Sequence, residues 1–262
     1  MRHRGSWHPV RFPAMFAVLE HPRHGVVLFD TGYSSRFFAA TQPFPERMVR
    51  WAVPVTLGTG ESAAAQLAAI GIAAADVTHV VVSHFHGDHI SALADFPHAR
   101  YVFLSAGLRR LQTGSRLRRA CQGYLPRLLP DDFRARAIAL DDRPSIALGK
   151  EHAPLPRGYD IFGDGALVAV PLPGHADGQL GLLAHGGEGR RLFFVADAAW
   201  LMSAILADQV PPRVSGLVHA NAARYAETLH QLHLFHLRHP EVGLIPSHCE
   251  ATVRHWEQAT RI

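Results

Sequence analysis

VTHVVVSH, running from Val77 to His84, is a β-branched apolar run too short to be a helix of its own, and it reads as a strand buried on both faces. The chain then turns at once into FHGDH, so that His84, His86, Asp88 and His89 all fall on the loop leaving that strand. The same arrangement recurs further on. GDGALVAVPLPGH closes on His175, RRLFFVADAAW carries Asp197 just past its apolar stretch, and VGLIPSHCE carries His248. Apolar runs that each deliver a polar residue at their carboxyl end are how α/β proteins converge side chains from distant parts of the chain on one point.

The segments between these runs complete an alternating pattern. RFPAMFAVLE and VVLFDTG, joined by HPRHG, read as a β-hairpin that turns at Gly25 and ends at Asp30. ESAAAQLAAIGI reads as a helix stopping at Gly71, and ARYVFLSA as a strand. From about 106 to 137 an arginine-rich block, broken at Gly114, Gly123 and Pro126, reads as helical. GQLGLLAH reads as another strand, and the stretch from Gly216 to Pro240 as a long helix. With no repeat and no linker, one αβ sandwich spanning residues 1–262 is the expectation. A chain of 262 residues with 48% hydrophobic content can bury such a core.

Composition limits the function classes. A formal net charge of +4 over this length does not call for a nucleic-acid partner. Cys121 and Cys249 stand far apart, so neither a disulfide framework nor a thiolate metal site is written here, and a reducing cytoplasm is the expected compartment. The basic start MRHRG leads into FPAMFAVL, which is short, contains Pro13 and runs into Glu20, unlike a cleaved leader. No stretch reaches the roughly 18 uninterrupted apolar residues of a membrane-spanning helix. The expected partner is a small-molecule substrate, with a homodimer left open as the assembly.

The residues at the strand ends are imidazoles and carboxylates. Such donors suit zinc, and also iron, manganese or cobalt, and seven of them are enough for two divalent ions. Water held between two such ions is acidified to near neutrality, since a single catalytic zinc already brings it to a pKa of about 7. Asp30, at the end of VVLFD, reads either as a strand terminator or as a carboxylate that accepts the second N–H of a ligand histidine and so holds its tautomer.

SHFHGDH resembles the His-x-His-x-Asp-His signature of the metallo-β-lactamase superfamily, and LFDTG, PLPGH, VADAAW and IPSH resemble its other landmarks in the same order. The resemblance implies an αββα sandwich with a helical basic insert. It also implies one metal on His84, His86 and His175, a second on Asp88, His89 and His248, and Asp197 bridging them. A bridging hydroxide would attack an ester-type carbonyl while Asp88 orients it or shuttles its proton.

Within the superfamily the chain is most similar to the N-acyl homoserine lactonase branch, by size, by the helical block between His89 and His175, and by its His/Asp ligand set. It departs from that branch at one position. Many of those lactonases carry a tyrosine three residues after the bridging aspartate, and here Trp200 stands there. An indole donates a hydrogen bond but is no acid, so bulky or aromatic esters and lactones that pack on the ring are expected to be better substrates than short homoserine lactones. Thioester or phosphodiester cleavage, or a metal-holding protein with little turnover, are the alternatives. Arg118 and Arg119 in the basic block are candidate contacts for an anionic substrate group.

Overall fold

The computed structural model describes residues 12–210 and 219–258. Arg11, the MRHRG start and residues 216–218 of the expected long helix lie outside them. The contacts divide the chain into two compact units, one from Ala14 to Pro144 and one from Ser145 onward that also takes in Phe12 and Pro13.

The first unit is a five-stranded sheet in sequential order: β1 (Ala17–His21), β2 (Gly25–Phe29), β3 (Val77–Val81), β4 (Arg100–Phe103) and β5 (Ala137–Ala139). β1 and β2 form the antiparallel hairpin, with Ala17 opposite Phe29 and His21 opposite Gly25. All later pairs are parallel, with Val80 beside Tyr101 and Val102 beside Ile138. Parallel neighbours need crossovers. The first is made by α1 (Ser35–Ala40), α2 (Arg47–Ala52) and α3 (Ala63–Ala69), the second contains α4 (Gly87–Ile90), and the third is α5 (Ser105–Gln112), α6 (Arg116–Cys121) and α7 (Phe133–Arg136). The arginine-rich block at 106–137 is therefore the crossover that carries the chain from β4 to β5. Its apolar side joins the core: Leu111, Tyr124, Leu125, Leu128 and Phe133 pack in one cluster with Val80, Val82, Phe85 and Tyr101.

The second unit is a six-stranded sheet. In chain order its strands are β6 (Ile146–Ala147), β7 (Arg157–Asp160), β8 (Leu167–Pro171), β9 (Leu180–His185), β10 (Arg191–Ala196) and β11 (Val242–Pro246), and they lie side by side as β11-β10-β9-β8-β7-β6. Pairing is antiparallel except between β10 and β11, where the register slips between Phe194 and Ala196. α8 (Met202–Ala207) follows β10, α9 (Ala222–Arg238) precedes β11, and α10 (Glu250–Gln258) comes last. Asn221 caps α9 by accepting a hydrogen bond from Arg224 N at 3.0 Å. Tyr225, Leu229, Leu232 and Phe235 form its buried stripe, and Phe235 meets Phe193 of β10 at 5.4 Å between ring centroids. No described helix is long and apolar enough to cross a membrane.

Candidate functional site

The first unit places four of the expected ligands within one loop and one turn of helix. β3 ends at Val81, and His84 and His86 lie in the extended chain that follows. His86 opens the four-residue α4, which carries Asp88 and His89. His84 Nε2 stands 3.0 Å from His86 Nδ1, His89 Nε2 stands 3.3 Å from Asp88 Oδ2, and the rings of His84 and His89 are 4.0 Å apart. His84 and His89 are buried, while Asp88 keeps an exposed edge.

Asp30 lies beneath this loop in a left-handed conformation at φ 61°. Its Oδ1 accepts from Ser83 N, and its Oδ2 accepts from Ser83 Oγ and from His89 Nδ1, each at 2.7 Å. With its proton held on Nδ1 by Asp30, His89 presents the Nε2 lone pair outward. His84 behaves alike, because its Nδ1 lies 3.0 Å from Ser83 Oγ and only Nε2 faces His86. Burial pushes the Asp30 carboxyl above its ordinary range, against the opposing pull of His89 and of the Ser83 hydrogen bonds.

Two further side chains of the DTGYSS segment brace α4, and sequence reasoning passed over both. Thr31 Oγ1 donates to His89 O at 2.9 Å and accepts from Ala92 N at 3.1 Å, while Ser34 Oγ donates to Ser91 O at 2.6 Å. The available signal was a cluster of hydroxyls directly after a strand end. From the basic block, Tyr124 approaches a ligand, and Arg110 in turn packs on Tyr124. The backbone of Tyr124 bridges that of His86, its ring lies 4.9 Å from the imidazole, and the Arg110 guanidinium sits 5.3 Å over the phenol. Arg118 is exposed, and Arg119 donates to Gly114 O at 2.6 Å.

The second unit brings together the other three. His175 follows β8, Asp197 follows β10, and His248 follows β11. His175 Nε2 is 3.2 Å from Asp197 Oδ2, and His248 Nε2 is 3.2 Å from Oδ1 and 3.3 Å from Oδ2. Ala196 precedes the aspartate in a left-handed conformation, φ 48°, at the point where the β10–β11 register slips, and this turns Asp197 out of the ladder. His248 Nδ1 bonds Pro13 O at 2.6 Å, so its proton sits there and Nε2 is left as the outward donor.

Trp200 stands beside this group. Its indole N–H donates to Asp197 Oδ2 at 3.1 Å, and its ring lies 6.0 Å from His175 and 6.4 Å from His248. The indole proton is thus committed to the carboxylate. His219 approaches His175 Nδ1 with its own Nδ1 at 3.2 Å. Burial lowers its pKa, and the Asp197 charge opposes that shift.

Two donors on a tetrahedral ion at about 2.0–2.1 Å stand roughly 3.3 Å apart. The spacings inside both sets, 3.0 to 3.3 Å, match that value. Imidazole nitrogens, which in His84, His89, His175 and His248 have their far nitrogens already bonded, form together with carboxylates a donor set that fits divalent metals.

A family model described as the metallo-beta-lactamase superfamily matches residues 11–234. The N-acyl homoserine lactonase AttM of Azorhizobium caulinodans is 30% identical over 203 residues, which cover 76% of this chain and 70% of that protein. Among solved structures, an N-acyl homoserine lactone hydrolase with N-hexanoyl-L-homoserine bound at its catalytic metal centre superposes with a TM-score of 0.66 at 14% identity, covering 97% of this chain and 86% of that one. The dizinc quorum-quenching lactonase AidC gives a TM-score of 0.60 at 17% identity over 89% of this chain and 71% of that one. These two likenesses concern the fold.

Proposed function

The chain belongs to the metallo-β-lactamase superfamily, and from that premise we propose that it is a dinuclear metal-dependent hydrolase that opens lactones or carboxylic esters. His84, His86 and His175 would hold one divalent ion, Asp88, His89 and His248 a second, and Asp197 would serve both, with zinc the first candidate and iron, manganese or cobalt compatible with the same donors. The observation that carries this reading is the Asp197 carboxylate, which lies between two imidazoles that both turn Nε2 toward it while their Nδ1 atoms are bonded elsewhere. The 30% identity to a lactonase supports the choice of substrate class.

When bound, such ions supply Lewis acidity, which makes water acidic enough to be a nucleophile near neutral pH and polarises an ester carbonyl. The protein's own groups would do the rest. Asp88, with its exposed edge, would take the proton of the attacking water at a carboxylate oxygen and return it to the alkoxide as the carbon–oxygen bond breaks, leaving a hydroxy acid from a lactone or a carboxylic acid and an alcohol from an open-chain ester. Asp30 and Ser83 would keep His89 and His84 in their outward-donating tautomers. Trp200 would fix the Asp197 carboxylate with its N–H and offer the face of the indole to an apolar substrate group.

The test is a substrate panel on protein loaded with zinc, manganese or cobalt, using acyl homoserine lactones, aryl esters, thioesters and phosphodiesters. Turnover of lactones or esters is expected, best for bulky or aromatic ones, with close to two ions per chain and loss of both in Asp197→Ala. Hydrolysis confined to thioesters or phosphodiesters overturns the substrate class. Two bound ions with no turnover of any of the four points to a binding role.

A further inference from the structure

We infer that His219 is a positioning residue for the metal ligand His175, holding that imidazole in the tautomer that can ligate; the inference rests on the metal-site reading above. With a metal ion on Nε2, the nitrogen that His175 turns toward Asp197, the single proton of the neutral ring belongs on Nδ1. His219 Nδ1 meets this Nδ1 at 3.2 Å, with the two rings T-shaped at 5.3 Å between centroids. His175 then donates and His219 accepts, which places the proton of His219 on its Nε2. The opposite tautomer would aim the N–H of His175 at the carboxylate and remove the lone pair a metal needs. Ligand imidazoles usually rest on a carboxylate, a backbone carbonyl or water. Here a second neutral imidazole fills that place.

The fold around His219 holds it there. Its ring stacks on Tyr225 at 3.9 Å and 15°, and Tyr225 is buried in the first turn of α9. The residues that follow His219 are tied to the loop that carries His175: Ala220 N bonds His175 O at 2.8 Å, and Asn221 N bonds Gly174 O at 2.9 Å. Thr228 Oγ1 adds a bond to Pro173 O at 2.6 Å. Three hydrogen bonds and one aromatic stack therefore set the approach of His219 to His175, and the close ring contact does not depend on a mobile surface side chain.

The test compares His219→Phe, which keeps an aromatic ring against Tyr225 but has no acceptor, with His219→Gln, whose amide oxygen can still accept. Zinc affinity of the metal-free proteins is measured by competition with a chromophoric chelator, and their melting temperatures are measured without metal. His219→Phe is expected to weaken one of the two zinc ions by about 10- to 100-fold, the range for losing an outer partner of a ligand, while His219→Gln recovers most of that affinity. Wild-type affinity for both ions in His219→Phe overturns the inference and leaves the hydrolase reading intact. Equal losses in the two variants, in step with equal losses of metal-free stability, overturn it in favour of packing alone. Wild-type protein that takes up neither zinc nor iron, manganese or cobalt overturns both readings together.

Discussion

Gly174→Ala should be among the most damaging single-methyl additions in the second unit. An added Cβ would stand 2.3 Å from Tyr225 N and 2.4 Å from Tyr225 Cα. Both are backbone atoms in the first turn of α9, so no rotamer change relieves the clash, and either the helix or the Pro173–His175 loop must move. The residue also sits at φ +135°, well outside the left-handed well that L residues reach. Backbone strain of that kind costs about 1–3 kcal/mol, and forcing a methyl into packed atoms costs about 1–3 kcal/mol more. The sum is about 2–6 kcal/mol, and at about 2–4 °C per kcal/mol for a chain of this size the melting temperature should fall by roughly 4 to 24 °C. Gly71→Ala separates the two contributions, because Gly71 has φ +83° with nothing within 4 Å of its would-be Cβ, so it should lose only the conformational part, about 1–2 kcal/mol. Urea unfolding of the metal-free proteins measures both. Equal losses at the two positions would refute the claim that α9 is seated directly on Gly174, and with it the restraint on His219.

Two further outcomes are expected. Burial, with help from the Arg100 charge, lowers the His79 pKa to about 4, against about 6.5 in the unfolded chain. Between those values the unfolded state binds a proton that the folded state refuses, so stability is level above pH 6.5, falls as the pH drops toward 4, and levels again below. The full linkage is about 3 kcal/mol, reduced to about 1–2 kcal/mol because the ring is half-buried and screened by solvent; His79→Gln should flatten this part of the stability profile, and a slope equal to wild type counts against it. Trp200→Phe removes the N–H that binds Asp197, a bond to a charged acceptor worth about 1.5–3 kcal/mol at most, so metal affinity should drop by about 10-fold or more; unchanged affinity would mean that the indole contributes only its ring.

The parts of this molecule that were legible in its sequence are those with strong local signals. β3, β4, β8, β9, β10 and β11 are dense apolar runs bounded by turn residues, and α3 and α9 show helical stripes with a glycine stop and an asparagine cap. The elements that escaped are short. α1, α2 and α8 have six residues each, too few for a periodicity to emerge, and β6 is a two-residue strand exposed at both positions. Tyr124 and His219 escaped for a different reason: each is brought to its ligand by the docking of a distant segment, the β4–β5 crossover in one case and the first turn of α9 in the other, and nothing adjacent to them in sequence marks the role.

The strain at the site was equally invisible, and its placement is informative. Asp30 and Ala196 take left-handed conformations without being glycine, at a cost of about 1–3 kcal/mol each. Each lies at the end of a strand, Asp30 just after β2 and Ala196 as the last residue of β10. At Asp30 the cost is offset by three hydrogen bonds of 2.7 Å to one buried carboxylate, and the left-handed turn is what directs that carboxylate under Ser83 and His89. At Ala196 the turn breaks register with β11, so that Asp197 leaves the ladder instead of continuing it. A glycine at either position would relax the backbone at no steric cost but would widen the range of directions open to the aspartate. At position 30 glycine would also remove the carboxylate itself. Local propensity is therefore overruled at the two residues that aim the aspartates, and single-sequence reasoning, which reads propensity, has no means of seeing where a fold spends stability to direct a side chain.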